Sequence, residues 1–252
     1  MTFPADSRHT SCCVEAANRE PRRAGRRPDL LLLHYTGMRD AASAVDWLTR
    51  AESKVSCHYA VDENGRITQM VPEHLRAWHA GVSSWAGEED INSCSIGIEI
   101  HNPGHHIDYW EFPPGQMAAV AALCLDIVQR NKIRPERVLG HSDVAPQRKD
   151  DPGEKFDWRR LAAAGVGLWV EPAALTDDPG LDAGSHGGDV LRLQERLRGI
   201  GYGVPESGVY DEATRRVVLA FQRHWRQARA DGRADASTLE TMSRLEAALA
   251  SS

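Results

Sequence analysis

The stretch Leu30-Leu-Leu-Leu-His-Tyr35 decides the fold. Its unbroken aliphatic run is too short for a buried helix, follows Pro28 and has no polar alternate positions. It reads as a strand buried on both faces, as in the interior of a parallel sheet. Helical spacing follows over Ala41 to Ala51, with Ala44, Val45, Leu48 and Ala51 on one side. Cys57-His-Tyr-Ala-Val61 and Ile67-Thr-Gln-Met-Val71 flank Asn64-Gly65, which signals a hairpin. Ser95-Ile-Gly-Ile-Glu-Ile100 alternates small or polar with large aliphatic residues, as a strand does. Gln116 to Asn131 is the strongest helix, with Met117, Val120, Ala121, Cys124, Ile127 and Val128 on one face behind Pro113-Pro114. Val138-Leu-Gly140 is a short strand leading into His141. Strands alternating with helices imply an α/β architecture.

Further along the chain the pattern changes. Leu175 to Gly188 is rich in Asp, Gly and Pro without periodicity, and reads as a linker. Beyond it, three amphipathic helices are expected. The first holds Val190, Leu193, Gln194 and Leu197, the second Val217, Val218, Phe221 and Trp225, the third Leu239, Met242, Leu245 and Leu249. A three-helix unit of this size has a small core and suits a binding role.

Composition bounds the function. With 252 residues and 41% hydrophobic content, the chain buries a real core, which excludes disorder throughout. The net charge of −6 argues against nucleic acid as a partner. The charge is uneven, since the first 28 residues hold Arg8, Arg19, Arg22, Arg23, Arg26 and Arg27 against Asp6, Glu15 and Glu20. Residues 1–27 therefore read as a loosely held basic arm. No apolar run is long enough for a membrane helix. Asp6, Arg8 and His9 interrupt any secretory signal, so a cytoplasmic location is expected, with the periplasm or cell envelope as the alternative. Cys12, Cys13, Cys57, Cys94 and Cys124 are odd in number and irregular in spacing, which suggests reduced thiols.

Three polar residues stand where α/β folds place their chemistry, at or just beyond strand ends. His34 closes the aliphatic strand, His141 follows Val138-Leu-Gly140, and Asp151 lies ten residues on. Two imidazoles and a carboxylate are a ligand set for catalytic zinc, with a fourth position left for water. Glu99 is a carboxylate set among isoleucines, on the strand face of Gly97 and His101. It either meets solvent or lines a cleft as a general base. Lys149, two residues before Asp151, is a cation suited to a developing oxyanion.

Taken together, Leu33-His-Tyr-Thr-Gly37, Ser56-Cys-His-Tyr59, Ala77-Trp-His-Ala-Gly81, Asn92-Ser-Cys-Ser-Ile-Gly-Ile-Glu99 and Gly140-His-Ser-Asp-Val-Ala-Pro-Gln-Arg-Lys-Asp-Asp-Pro-Gly153 resemble the zinc-dependent N-acetylmuramoyl-L-alanine amidases of the type 2 (AmpD/AmiD-like) family. The resemblance covers about residues 28–170. It implies a mixed central sheet flanked by helices, one Zn2+ held by His34, His141 and Asp151, and Asp150 outside the ligand set. It assigns Glu99 as acid/base and Lys149 as the oxyanion's cation, and it places His58, Trp78 and His79 along the substrate cleft. Val190-Leu-Arg-Leu-Gln194, Gly201-Tyr202, Gly208-Val-Tyr-Asp211, Thr214, Phe221-Gln222 and Asp231-Gly-Arg-Ala-Asp235 resemble the peptidoglycan-binding type 1 domain. One departure is Asp157, between Phe156 and Trp158, where the family has Pro.

The expected organisation is a basic arm at 1–27, a zinc amidase domain at 28–172, a linker at 173–188 and a peptidoglycan-binding helical domain at 189–249. The implied reaction cleaves the amide between N-acetylmuramic acid, or its 1,6-anhydro form, and L-alanine of the stem peptide. A monomer acting on peptidoglycan or muropeptides is expected. Two other readings fit the same residues: a non-catalytic peptidoglycan-binding protein, and a cytoplasmic recycling amidase restricted to soluble anhydro-muropeptides.

Overall fold

The computed structural model describes residues 3–251. The strands are β1 (Cys12–Cys13), β2 (Arg19–Pro21), β3 (Leu30–Tyr35), β4 (Tyr59–Val61), β5 (Ile67–Gln69), β6 (Leu75–Ala77), β7 (Ser95–Ile100) and β8 (Val138–Gly140). The helices are α1 (Ala41–Thr49), α2 (Ile91–Cys94), α3 (Pro114–Asn131), α4 (His141–Val144), α5 (Trp158–Ala163), α6 (Gly188–Ile200), α7 (Glu212–Trp225) and α8 (Ala236–Ala250). Six strands form one sheet in the order β1-β5-β4-β7-β3-β8. Pairing is parallel except between β4 and β5, the hairpin signalled by Asn64-Gly65. The sheet is thus mixed, as expected.

The aliphatic strand β3 lies between β7 and β8, buried on both faces. Alternation along it serves two cores. Leu31 and Leu33 join Ile96, Ile98 and Ile100 against the apolar face of α3. Leu30 and Leu32 belong to a second cluster, which runs through Trp85, Ile91 and Val144 into α6, α7 and α8. The three C-terminal helices therefore do not close on a core of their own. Val190, Leu193, Phe221 and Met242 share one apolar cluster with the sheet.

Two readings of the chain need correction. The basic arm is not loose. From residue 3 onward it is built into the fold (Met1 and Thr2 lie outside the described residues): β1 extends the sheet beside β5, and β2 pairs with β6. Arg22 is buried and donates to the carbonyls of Glu73, Asn92, Ser93 and Ser95. A guanidinium presents five donors, so an arginine counted as solvated charge instead satisfies backbone oxygens where α2 runs into β7. Nor is the stretch before α6 a free tether. Ala173 N–H donates to Thr241 Oγ1, Ser237 Oγ donates to Ala173 O, and Leu181 forms a bridge with Ala234.

Candidate active site

Register brings the key residues together. In the parallel pair of β3 and β7, His34 stands opposite Glu99; in that of β3 and β8, Leu33 stands opposite Gly140. His34, Glu99 and His141 thus emerge at the same end of three adjacent strands. The loop after α4 returns Asp151, whose carbonyl accepts from the Ser142 N–H at 2.8 Å.

Three donor atoms converge there. His34 Nδ1 lies 2.9 Å from His141 Nδ1, and Asp151 Oδ2 lies 3.2 Å from the first and 3.1 Å from the second. All three side chains are buried. The surrounding bonds assign the protons. Ile91 O can only accept, so Ser95 Oγ donates to it at 2.6 Å. Ser95 Oγ then accepts from His79 Nε2 at 3.2 Å, and His79 Nδ1 accepts from His34 Nε2 at 3.0 Å. On the other side, His141 Nε2 donates to Ala80 O at 3.0 Å. Both Nδ1 atoms are therefore bare lone pairs, facing each other and a carboxylate oxygen. Burial, and then the neighbouring His141, lowers the His34 pKa to about 4, so its ring is neutral near pH 7. Three acceptors with no proton among them repel unless a cation sits between them. Two imidazole nitrogens and a carboxylate oxygen are the donor set that a catalytic zinc would take, with a fourth position left for water.

A cleft of about 400 Å³ opens beside these atoms, lined by Trp78, Glu99 and Lys149 among others. Glu99 Oε2 is buried and has no hydrogen-bond partner among the described residues. Burial, then the charge of Asp151, raises the Glu99 carboxyl to about 8, with Lys149 opposing. The Lys149 side chain makes no hydrogen bond or ion pair among the described residues and lines the same cleft.

Trp78 and His79 also border the cleft. His79, however, is buried behind His34, and both its ring nitrogens are engaged. His58 is displaced from its expected place in the cleft. Fully buried, it accepts the Gly97 N–H at 3.0 Å through Nδ1, and its Nε2 lies 3.1 Å from Leu75 O. Its neighbour Tyr59 faces the α3 core, and strand alternation sends His58 to the opposite side, under the site floor. Ser95 was missed by the sequence reading. A signal existed: the small residues Ser95 and Gly97 alternate with isoleucines, and a Cβ on Gly97 would lie 2.6 Å from the His79 ring. Asp157 accepts from the Arg160 N–H and caps α5.

The model of the N-acetylmuramoyl-L-alanine amidase family matches residues 24–154. The chain belongs to that family. A peptidoglycan binding domain matches residues 186–242 of this amidase. N-acetylmuramoyl-L-alanine amidase AmiD of Escherichia coli (strain K12) is 40% identical over 232 residues, 87% of this chain and 83% of that protein. The 1,6-anhydro-N-acetylmuramyl-L-alanine amidase AmpD of Haemophilus influenzae is 41% identical over 114 residues, 45% of this chain and 60% of that protein. Among solved structures, AmiD from E. coli in complex with the substrate anhydro-N-acetylmuramic acid-L-Ala-D-gamma-Glu-L-Lys superposes with a TM-score of 0.75 at 37% identity, covering 91% of this chain and 92% of that one. AmpDh3 from Pseudomonas aeruginosa gives 0.75 at 31% identity, covering 92% and 96%.

Proposed function

We propose that this amidase hydrolyses the amide joining N-acetylmuramic acid, or its 1,6-anhydro form, to the L-alanine of a peptidoglycan stem peptide, with one zinc ion held by His34, His141 and Asp151. The observation that carries this reading is the convergence of two bare imidazole nitrogens and a carboxylate beside an unpartnered Glu99 oxygen. Kinship with AmiD, and the muropeptide bound in that relative, supports the substrate class.

When bound by His34, His141 and Asp151, zinc would supply Lewis acidity toward the amide carbonyl and the attacking water. Glu99 takes a proton from that water and returns it to the departing alanine nitrogen. A carboxyl held near neutrality suits both halves of the transfer. Lys149 stands at the cleft wall with its ammonium uncommitted, ready to meet the negative charge that grows on the carbonyl oxygen. Trp78 offers an aromatic face to the sugar or lactyl group. His79 keeps the proton of His34 on Nε2 and so keeps Nδ1 available. The acting residues come from one chain, so a monomer suffices. The helical unit holds the enzyme to peptidoglycan.

The test is digestion of intact sacculi and of soluble anhydro-muropeptides, with and without chelator, followed by mass spectrometry. Release of free stem peptides that stops with chelator and returns with zinc is the expected result. Binding to sacculi without release would make the chain a binding protein. Cleavage of the soluble substrate alone would make it a recycling amidase.

A further inference from the structure

Asp150 stands between Lys149 and Asp151 and borders the same cleft, but it is not among the three converging donors. Its carboxylate is taken by α7: Arg223 Nη1 lies 2.7 Å and Arg216 Nη1 3.3 Å from Oδ1. Arg223 also reaches Glu154 at an ion-pair distance of 3.4 Å. The same helix region holds both ends of the loop. Gln147 Nε2 donates to Ala213 O at 3.0 Å, and Gln227 Nε2 donates to Phe156 O at 2.6 Å. At the loop's root, buried Asp143 accepts from Tyr202 Oη and His224 Nδ1, each at 2.7 Å.

The loop has little hold on itself. Between Ala145 and Asp157 its internal backbone bonds are Arg148 and Lys149 N–H to Ala145 O, and Phe156 N–H to Gly153 O. A segment with so few internal bonds takes its geometry from what grips it. Ser142 and Tyr109 of the amidase part hold Asp151, Pro152 and Lys155; the grip on Gln147, Asp150 and Phe156 comes from the unit that resembles a wall-binding domain. We propose that α7 is a working part of the amidase site, with Arg223 as a positioning residue whose hold on Asp150 fixes Lys149 and Asp151. This rests on the zinc amidase reading for its catalytic consequence, though not for the mechanical one.

The experiment compares the parent chain with Arg223→Met, which keeps the aliphatic volume, and with the near-isosteric Asp150→Asn. Three quantities are read: amide exchange of Arg148, Lys149 and Phe156 in metal-free protein, zinc affinity by chelator competition, and kcat and KM on a soluble muropeptide. Faster exchange, zinc affinity weaker by about tenfold and a kcat reduced by about tenfold with KM near the parent value are expected, as for other groups that orient metal ligands. Arg223→Lys should recover part of each loss. The double variant should be no worse than either single one, because both remove one interaction. Binding to sacculi should stay at the parent level. Unchanged exchange overturns the proposal. So does faster exchange with parental zinc affinity and kcat, which reduces the contact to packing. If the parent itself neither holds zinc nor cleaves muropeptide, the amidase reading falls, while the exchange data still decide whether α7 grips the loop.

Discussion

Glu99 is a half-buried carboxyl beside the candidate metal site, and its conservative replacement separates binding from turnover. Glu99→Gln should bind zinc at the parent stoichiometry and lose turnover by at least about a hundredfold, the scale of a positioned acid/base. Metal content and stem-peptide release check this; an active Gln variant removes Glu99 from proton transfer. Gly97 makes the complementary case. An added Cβ would meet His79 ring atoms at 2.6–2.7 Å, and that ring is bonded at both nitrogens. Gly97→Ala should push His79 off His34 and weaken zinc binding by about tenfold or more, although it alters neither ligand nor charge. Parental affinity in a chelator competition would show that His79 does not fix the His34 tautomer.

Among the elements, those with a long periodic signal, a turn signal beside them or an apolar run were legible, and β1, β2 and β6 were not. Strand β3, strand β7 and helix α3 each announce themselves by spacing, and register then places His34 opposite Glu99. Strands β1, β2 and β6 are too short to carry a pattern, and they hold by pairing. The arm was misread because charge was counted without asking which carbonyls lacked donors. Arg22→Met should leave several buried carbonyl oxygens unpaired and cost about 3 kcal/mol, the scale of a few unsatisfied acceptors. The denaturant midpoint should fall accordingly; a loss below about 0.5 kcal/mol would return the arm to the surface. His58 could not be placed because resemblance names a position without its depth. At the junction of the loop and α7, Glu154 gives a pH effect. Burial would raise its carboxyl, but the hydrogen bond and charge of His105 and the charge of Arg223 bring it to about 2. A depressed carboxyl stabilises the fold above its unfolded value of about 4.5, and that contribution fades as pH drops toward about 2. The stability gap between the parent and Glu154→Gln should therefore narrow between about pH 5 and about pH 2. A gap constant across that window contradicts the assignment.

At the scale of the molecule, two family patterns in sequence became one apolar cluster in space. Three helices read alone suggested a small separate core; only the structure shows Leu30 and Leu32 in the same cluster as Leu193 and Phe221. That sharing was illegible because the faces of β3 look alike in a run of four leucines. Unfolding should follow a single transition for both parts. Leu193→Ala should lower it as a whole, by about 3 kcal/mol for a buried leucine, with loss of activity at the same midpoint. Two separated calorimetric peaks would show independent domains.

The shared cluster bears on how such an enzyme is rebuilt. Wall hydrolases are often treated as cassettes in which one targeting unit is swapped for another. Here a transplant would strip one side of the β-sheet bare and expose leucines to water. A chimera of this chain needs a new lining for that surface before it needs a new address.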